Sequence, residues 1–161
     1  MADFDPAVAK TLIREGGARF TDNPDDRGGP TKYGISQNAY PNVDIRNLSE
    51  DQAKAIYKKN YWDRVSGDTL KSQAIAENIF DTAVNMGPTT ATKLVQVTLG
   101  LEIDGRFGPA TAKAVNASDE SEFLAGFTLA KVARYAAICN KDRTQSKFLL
   151  GWINRALGSA S

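Results

Sequence analysis

The sequence predicts a mainly α-helical protein with at most a small β-hairpin. Two observations support this class: helix-capping signals recur along the chain, and the apolar residues between them repeat at spacings of three and four. The chain has 161 residues, of which 42% are apolar and 24% are charged. That length is enough to bury one core. We expect a first lobe over residues 1–87 and a second, helical lobe over residues 88–161 packed on it.

The first predicted helix begins at Asp5 and Pro6 and ends at Gly16–Gly17. Aspartate is a good N-cap, proline suits the first helical position, and glycine stops a helix. Glu15 comes last, where the helix dipole disfavours a carboxylate, and it lies in line with apolar positions. Both features disfavour the charged form, as a proton donor near neutral pH requires. The alternative is a surface glutamate paired with a Lys or Arg at the helix end.

A loop rich in glycine and proline follows, and it carries Asp25, Asp26 and Thr31. Its two Gly-Gly pairs permit backbone conformations closed to other residues, so the loop can fold back toward Glu15. Two carboxyl groups that face each other across a cleft suit glycoside hydrolysis: one protonates the leaving oxygen and the other supports an attacking water. The alternative for the aspartates is turn chemistry, because Asn-Pro-Asp-Asp is a good turn by itself. Spacing alone leaves open whether Asp25 or Asp26 faces the cleft.

The remaining helices are marked by their caps and stops. Residues 28–36 form either a hairpin or the approach to a short helix capped by Ser36. Further helices are predicted over residues 49–60, 72–86 and 88–99, from residue 109, over 119–140 and around 148–156. In the helix that begins at residue 119, the expected inward residues are Phe123, Phe127, Ala130, Ala133 and Ala137.

Two pairs of residues on these helices are candidates for contact with a ligand. Tyr61 and Trp62 follow a helix end, where their rings either stack on sugars or belong to the core. Asp81 and Asn85 lie one turn apart and either line a groove with hydrogen-bonding groups or sit on a solvated flank. Trp152 is expected in the core.

The composition excludes several classes of protein. Without histidine, the chain has no Ser-His-Asp or Cys-His catalytic set and no His-ligated zinc, which excludes zinc amidases and His-dependent cysteine peptidases. Cys139 is the single cysteine, so no intrachain disulfide forms, and we expect it to be a small buried filler. A net charge of +1 without a basic run argues against nucleic-acid binding. The N-terminus lacks a signal-peptide pattern, and no apolar stretch approaches the roughly 20 residues of a membrane span. We therefore expect the protein to be made in the cytoplasm and not to insert into a membrane.

Several motifs resemble those of the glycoside hydrolase 108 muramidases, which are lysozyme-like phage endolysins and related bacterial proteins. The resemblance lies in Glu15-Gly16-Gly17, in residues 23–36, in residues 80–88 and in residues 148–155; the Asp-Gly-x-x-Gly-Pro-x-Thr segment at 104–111 is similar to small peptidoglycan-binding modules. The resemblance to the muramidases implies that Glu15 is the catalytic acid, that Asp26 (or its rival Asp25) positions water and that Thr31 assists. Tyr33 and Gly34, in the same signature, become candidate substrate contacts. Many members have an aromatic residue where this chain has Ala18, a difference that affects a wall of the site rather than the chemistry.

The resemblance implies a lysozyme-like fold, with a catalytic lobe over residues 1–87 and a peptidoglycan-binding-like lobe over residues 88–161. It implies a monomeric muramidase that hydrolyses the β-1,4 bond between N-acetylmuramic acid and N-acetylglucosamine in bacterial peptidoglycan, without metal or cofactor. As an endolysin, the protein would reach the wall only after its release from the cytoplasm. Two alternatives stay open: a lytic transglycosylase that leaves 1,6-anhydro ends, and a non-catalytic wall-binding or secretion-related protein.

Overall fold

A computed structural model describes residues 1–23 and 28–158, and within them it confirms a mainly α-helical, lysozyme-like fold with one two-stranded hairpin. In chain order the elements are helix α1 (Phe4–Arg14), strands β1 (Thr31–Lys32) and β2 (Ile35–Ser36), helix α2 (Glu50–Tyr57), a π-helical turn (Lys58–Trp62), two 3₁₀ turns (Asp63–Val65 and Gly67–Thr69), helices α3 (Gln73–Met86), α4 (Pro88–Thr98), α5 (Pro109–Ala117) and α6 (Glu120–Lys141), a 3₁₀ segment (Arg143–Phe148) and helix α7 (Leu149–Ala156). Within the same residues, no helix has both the length and the apolar character needed to cross a bilayer.

Capping side chains fix three helix starts where the sequence predicts them. The Ser49 hydroxyl accepts a hydrogen bond from the Gln52 N–H at 3.2 Å, and the Gln52 side chain accepts one from the Ser49 N–H at 2.9 Å. This is the complete capping box of α2. Ser72 and Asp119 cap α3 and α6, accepting from backbone N–H groups at 3.1 and 3.0 Å.

Helix α1 begins two residues earlier than the sequence predicts. Its N-cap is Asp3, whose carboxylate accepts a hydrogen bond from the Asp5 N–H at 3.0 Å. The predicted cap at Asp5 is therefore wrong, because Asp3 offers an equivalent carboxylate two residues upstream. Pro6 still lies in the first turn, where its missing N–H costs no intrahelical bond.

The hairpin decides between the two alternatives for residues 28–36. Strands β1 and β2 pair antiparallel, with Thr31 opposite Ser36. The two residues between the strands, Tyr33 and Gly34, have φ angles of +54° and +74°. Two positive φ angles are typical of a type I′ turn, whose twist matches that of a two-residue hairpin.

An aromatic cluster forms the centre of the core. Trp62 and Phe80 are fully buried, and their rings pack edge to face with each other and with Phe4 at centroid distances of 5.5 to 5.8 Å. The same core continues past Gly87–Pro88, because α4 packs on both α3 and α6, and Phe127 belongs to it. The division into lobes at residue 87 stays a prediction.

The inward face of α6 agrees with the predicted one at Phe123 and Phe127 and differs from it farther along the helix. Ala133 and Ala137 are exposed, whereas Lys131, Tyr135 and Cys139 are buried. The buried positions recur every four residues along one stripe of the helix, and the alanines turn away from it. The sequence pattern hid this stripe because a lysine is rarely buried.

The Asp-Gly motif between α4 and α5 is held together by a buried glutamine. The Gln96 amide donates to Asp104 Oδ1 at 2.7 Å and accepts from the Gly105 N–H at 2.9 Å. Asp104 Oδ1 also accepts from the Arg106 N–H at 2.8 Å. These bonds give the motif the structural role of a joint between α4 and α5.

Lys131 places a cation in the core between α6 and α3. It is 4% exposed, its Nζ donates to Asn78 Oδ1 at 2.7 Å, and it lies 5.0 Å from the centre of the Phe127 ring. Burial lowers the pKa of the Lys131 ammonium to about 8, with the Asp81 carboxylate opposing the shift. The folded protein therefore releases this proton at a lower pH than the unfolded chain does.

We expect Lys131 to make the protein more stable in mild alkali. Between pH 8 and the usual lysine pKa of 10.5, the unfolded state binds more protons at this position, so stability rises with pH. From pH 7.5 to pH 9.5, the free energy of unfolding should rise by about 1 to 2 kcal/mol relative to a Lys131→Met variant. Urea unfolding of both proteins at the two pH values measures this difference. Equal pH dependence in the two proteins would contradict the assignment.

Candidate active site

Glu15 occupies the C-cap of α1, where the chain leaves the helix. Its N–H donates to the Thr11 carbonyl at 2.9 Å, and Gly16 and Gly17, with φ angles of +92° and +59°, then reverse the chain. The Gly17 carbonyl accepts a hydrogen bond from the Tyr33 N–H at 3.0 Å. The Gly-Gly pair thereby ties the end of α1 to the hairpin.

The hairpin turn packs directly against the stem of Glu15. A Cβ added to Gly34 would lie 2.7 Å from Glu15 Cβ and 2.7 Å from the Tyr57 hydroxyl oxygen. The Tyr57 hydroxyl donates to the Tyr33 carbonyl at 2.9 Å, which holds the turn in place. Gly34 is therefore needed both for its positive φ angle and for the close approach of the backbone to Glu15. Tyr33, the other predicted substrate contact of this turn, is buried and contributes its backbone to the turn.

Thr31 lies on β1 of the same hairpin and is partly buried. Its hydroxyl donates to the Gly29 carbonyl at 2.9 Å, and its backbone exchanges two hydrogen bonds with Thr21 at 2.8 and 2.9 Å. The predicted acids Asp25 and Asp26 lie outside the described residues. The choice between them stays open.

Tyrosine side chains border Glu15 on the side of α2 and the following turn. The rings of Tyr57 and Tyr61 are 5.7 Å apart, and the Tyr61 hydroxyl is hydrogen-bonded to Tyr40. Burial raises the pKa of Tyr57 and raises that of Tyr61 to about 12, and the nearby Glu15 carboxylate contributes to both increases. At neutral pH these groups are therefore uncharged hydroxyls beside Glu15.

Only one member of the predicted Tyr61–Trp62 pair is partly exposed. Tyr61 is half-buried, whereas Trp62 is fully buried and donates its indole N–H to Asp68 Oδ1 at 2.7 Å. The ring of Trp62 also packs so closely on Gly67 that a Cβ there would lie 2.2 Å from it. The core alternative describes Trp62, and Tyr61 is the aromatic residue that a ligand can reach.

An ionic network that the sequence did not predict connects Glu15 with α3 and α7. Arg155 donates from Nε to Asp81 Oδ2 at 3.1 Å, from Nη2 to Asp81 Oδ1 at 2.9 Å, and from Nη2 to Glu15 Oε1 at 3.3 Å. Arg14 contacts the same Asp81 Oδ1 at 2.8 Å. Asp81 thus pairs with two arginines rather than standing free on a groove wall. Glu15 has an arginine partner at the helix end, as the alternative of a paired glutamate expects.

The C-terminal half contributes an aromatic surface near the same network. Asn85 is exposed and, with Tyr135 and Trp152, lines a cavity of about 220 Å³. Trp152 lies between Tyr135 and Phe148, with ring centroids 5.4 and 6.0 Å away. Its ring packs on other aromatic rings, but Trp152 is partly exposed and lies outside the buried core, so the prediction of a core residue is wrong. Within the described ranges, no group of three or more His, Cys, Asp or Glu side chains is placed to hold a metal ion.

Arg155 and Arg14 are the residues that the sequence analysis missed. Arg155 is separated from Glu15 by 140 positions, so no local pattern connects the two residues. The one available signal was that Arg155 ends a segment of family resemblance.

Comparison with known proteins agrees with the architecture. Residues 8–87 match the family described as glycosyl hydrolase 108, and residues 90–157 match the family described as predicted peptidoglycan domain. The solved structure titled "Structure of Brucella abortus SagA" is similar to this chain at 27% sequence identity, with a TM-score of 0.71 over 98% of this chain and 96% of that one. No curated protein matches the chain.

Proposed function

Because residues 8–87 place this chain in glycosyl hydrolase family 108, it is a glycoside hydrolase, and we propose that it is an N-acetylmuramidase. Together with the peptidoglycan domain over residues 90–157, this makes it a peptidoglycan-degrading glycosidase. The proposed reaction is hydrolysis of the β-1,4 bond between N-acetylmuramic acid and N-acetylglucosamine. We propose an endolysin role, in which a monomer reaches the wall after its release from the cytoplasm.

Glu15 is the proposed general acid. The observation that carries this assignment is its fixed position: Gly34 packs on its stem, while Tyr57 and Arg155 border its carboxyl group. A general acid must be held within hydrogen-bonding distance of the leaving oxygen, because proton transfer depends on geometry before it depends on acidity. The Glu15 side chain is 27% exposed, which leaves it accessible to a substrate while Gly34 fixes its stem.

The second group of the reaction is proposed to be Asp26 or Asp25, with help from Thr31. One carboxylate would orient the attacking water or stabilise the positive charge that develops on the sugar ring. Thr31 lies on the hairpin that contacts Glu15, which supports a role on the same side of the substrate. Single Asp25→Asn and Asp26→Asn variants test the choice. Only the variant that lacks the acid facing the substrate should hydrolyse peptidoglycan more than about tenfold more slowly than the parent.

The substrate is proposed to pass over the half-buried Tyr61 and the exposed Asn85. An aromatic ring with one accessible side suits the apolar face of a sugar, and an amide can pair with its hydroxyl or acetamido groups. Asp81 supports the site indirectly by holding Arg155.

The products of wall digestion test this function. A muramidase must leave reducing N-acetylmuramic acid ends, because water attacks the cleaved bond. We therefore expect mass spectrometry of digested peptidoglycan to find reducing muramic ends and no 1,6-anhydro ends. Anhydro ends would identify a lytic transglycosylase instead. Wall binding without any new ends would identify a non-catalytic binder.

A further inference from the structure

We infer that Arg155, on helix α7 in the peptidoglycan domain, is a positioning residue that orients the Glu15 carboxyl group for proton transfer. The inference rests on the proposed function of Glu15. It assigns the C-terminal domain a direct part in the catalytic site, in addition to any contact with the wall.

The geometry of Arg155 is that of a fixed fork. Two of its nitrogens bind the two oxygens of Asp81, and the nitrogen nearer to Glu15 serves both carboxylates, at 2.9 and 3.3 Å. A planar guanidinium held by a bidentate pair has little freedom left, so its remaining N–H bonds point in set directions. Glu15 Oε1 lies in one of those directions.

The anchor of this fork is itself well supported. The Asp81 side chain is 16% exposed and projects from the middle of α3, a helix with Ile79, Phe80 and Ala83 in the core. Arg14 holds the same carboxylate from α1 at 2.8 Å. Arg155 is 26% exposed and is followed on α7 by the buried Ala156. The position of Arg155 is thus set by packing and by ion pairing together.

The fork determines which oxygen of Glu15 can carry the acid proton. A guanidinium has only hydrogen-bond donors, so Arg155 binds an unprotonated Oε1 better than a hydroxyl oxygen at that position, which is the weaker acceptor. The proton therefore belongs on Oε2, the oxygen that Arg155 leaves unengaged. Arg155 in this way aims the acid without touching the substrate.

Arg155→Met and Arg155→Lys test the inference, with Arg14→Ala as the matched control. Arg14→Ala also removes an arginine from Asp81, but Arg14 makes no hydrogen bond or ion pair with Glu15 among the contacts described above. We expect kcat on soluble peptidoglycan fragments to fall by about 10- to 100-fold for Arg155→Met, because small losses of orientation are costly in catalysis. The Lys variant keeps a positive charge and should recover part of that loss. The recovery should be incomplete, because an ammonium cannot bind Asp81 bidentately and reach Glu15 as well. KM should change less than threefold, and Arg14→Ala should lose less kcat than Arg155→Met, because it leaves the hydrogen bond from Arg155 to Glu15 in place.

The outcomes separate this inference from the proposed function. If Arg155→Met and Arg155→Lys both keep kcat within twofold of the parent, Arg155 does not position the acid. An equal kcat loss in Arg14→Ala would show that only the ion pairing of Asp81 matters, which also overturns the inference. Should Arg155→Met fail to fold, the Arg155→Lys variant decides alone. A parental kcat in that variant would show that the guanidinium of Arg155 is not needed to orient Glu15. If instead Glu15→Gln is active, the proposed function fails, whatever Arg155 does.

Discussion

Glu15→Gln is expected to reduce peptidoglycan hydrolysis by about a thousandfold while the protein stays folded. The amide has nearly the same shape as the carboxylic acid, and its oxygen can still accept the hydrogen bond from Arg155. What it lacks is an acidic proton to give to the leaving oxygen. The release of reducing ends from purified wall measures the loss, and thermal unfolding checks that the fold is intact.

Glu77→Gln is the matched control for this variant. Glu77 is 19% exposed and ion-paired with Lys10 of α1, so it resembles Glu15 in burial, charge and contact with a basic side chain. It should keep nearly all of the hydrolytic activity. A Glu15→Gln protein that retains more than a tenth of the parental rate would remove Glu15 from the role of general acid.

Gly34→Ala should cause the largest loss of stability at the site, together with a loss of activity. The added Cβ would lie 2.7 Å from both Glu15 Cβ and the Tyr57 hydroxyl oxygen, far inside van der Waals contact. Alanine at a φ of +74° also costs about 1 to 2 kcal/mol, and overpacking adds about 1 to 3 kcal/mol. We expect the free energy of unfolding to fall by about 2 to 5 kcal/mol, and kcat to fall because the Glu15 stem must move.

Gly100→Ala separates the two causes of that loss. Gly100 has a φ of +64°, and a Cβ added there would meet nothing within 4 Å. The variant should therefore pay only the backbone cost, about 1 to 2 kcal/mol, and keep its activity. Urea unfolding and hydrolysis assays on both variants make the comparison. Equal behaviour of the two would show that the hairpin turn does not constrain Glu15.

The helices could be predicted because their ends depend on nearby residues. Ser49, Ser72 and Asp119 cap helices through backbone groups three positions away, which is within the range that a sequence pattern covers. The same limit explains the error at α1, where Asp3 and Asp5 are both suitable caps and only the three-dimensional structure distinguishes them. The hairpin could not be decided because its turn uses Tyr33 with Gly34, a less distinctive signal than Asn-Gly.

Only those parts of the site that depend on residues near one another in the sequence could be predicted. Glu15 stands out in the sequence because it ends a helix beside a Gly-Gly pair, and the structure places the hairpin turn against it. Arg155 and Lys131 could not be foreseen, because each depends on a partner from a distant helix, Asp81 or Asn78. Tertiary pairing of this kind permits a charge at a position that a hydrophobic pattern would exclude.

Because the core continues across Gly87–Pro88, the C-terminal half cannot simply be exchanged for that of another protein at this point. Helix α4 begins directly after Gly87 and packs on both α3 and α6, so the C-terminal half shares one core with the N-terminal half. A chimera spliced at this junction would have to supply a new cover for α3 and a new side chain to meet Asp81. Diversification of the two halves is therefore expected to proceed by paired substitutions rather than by shuffling.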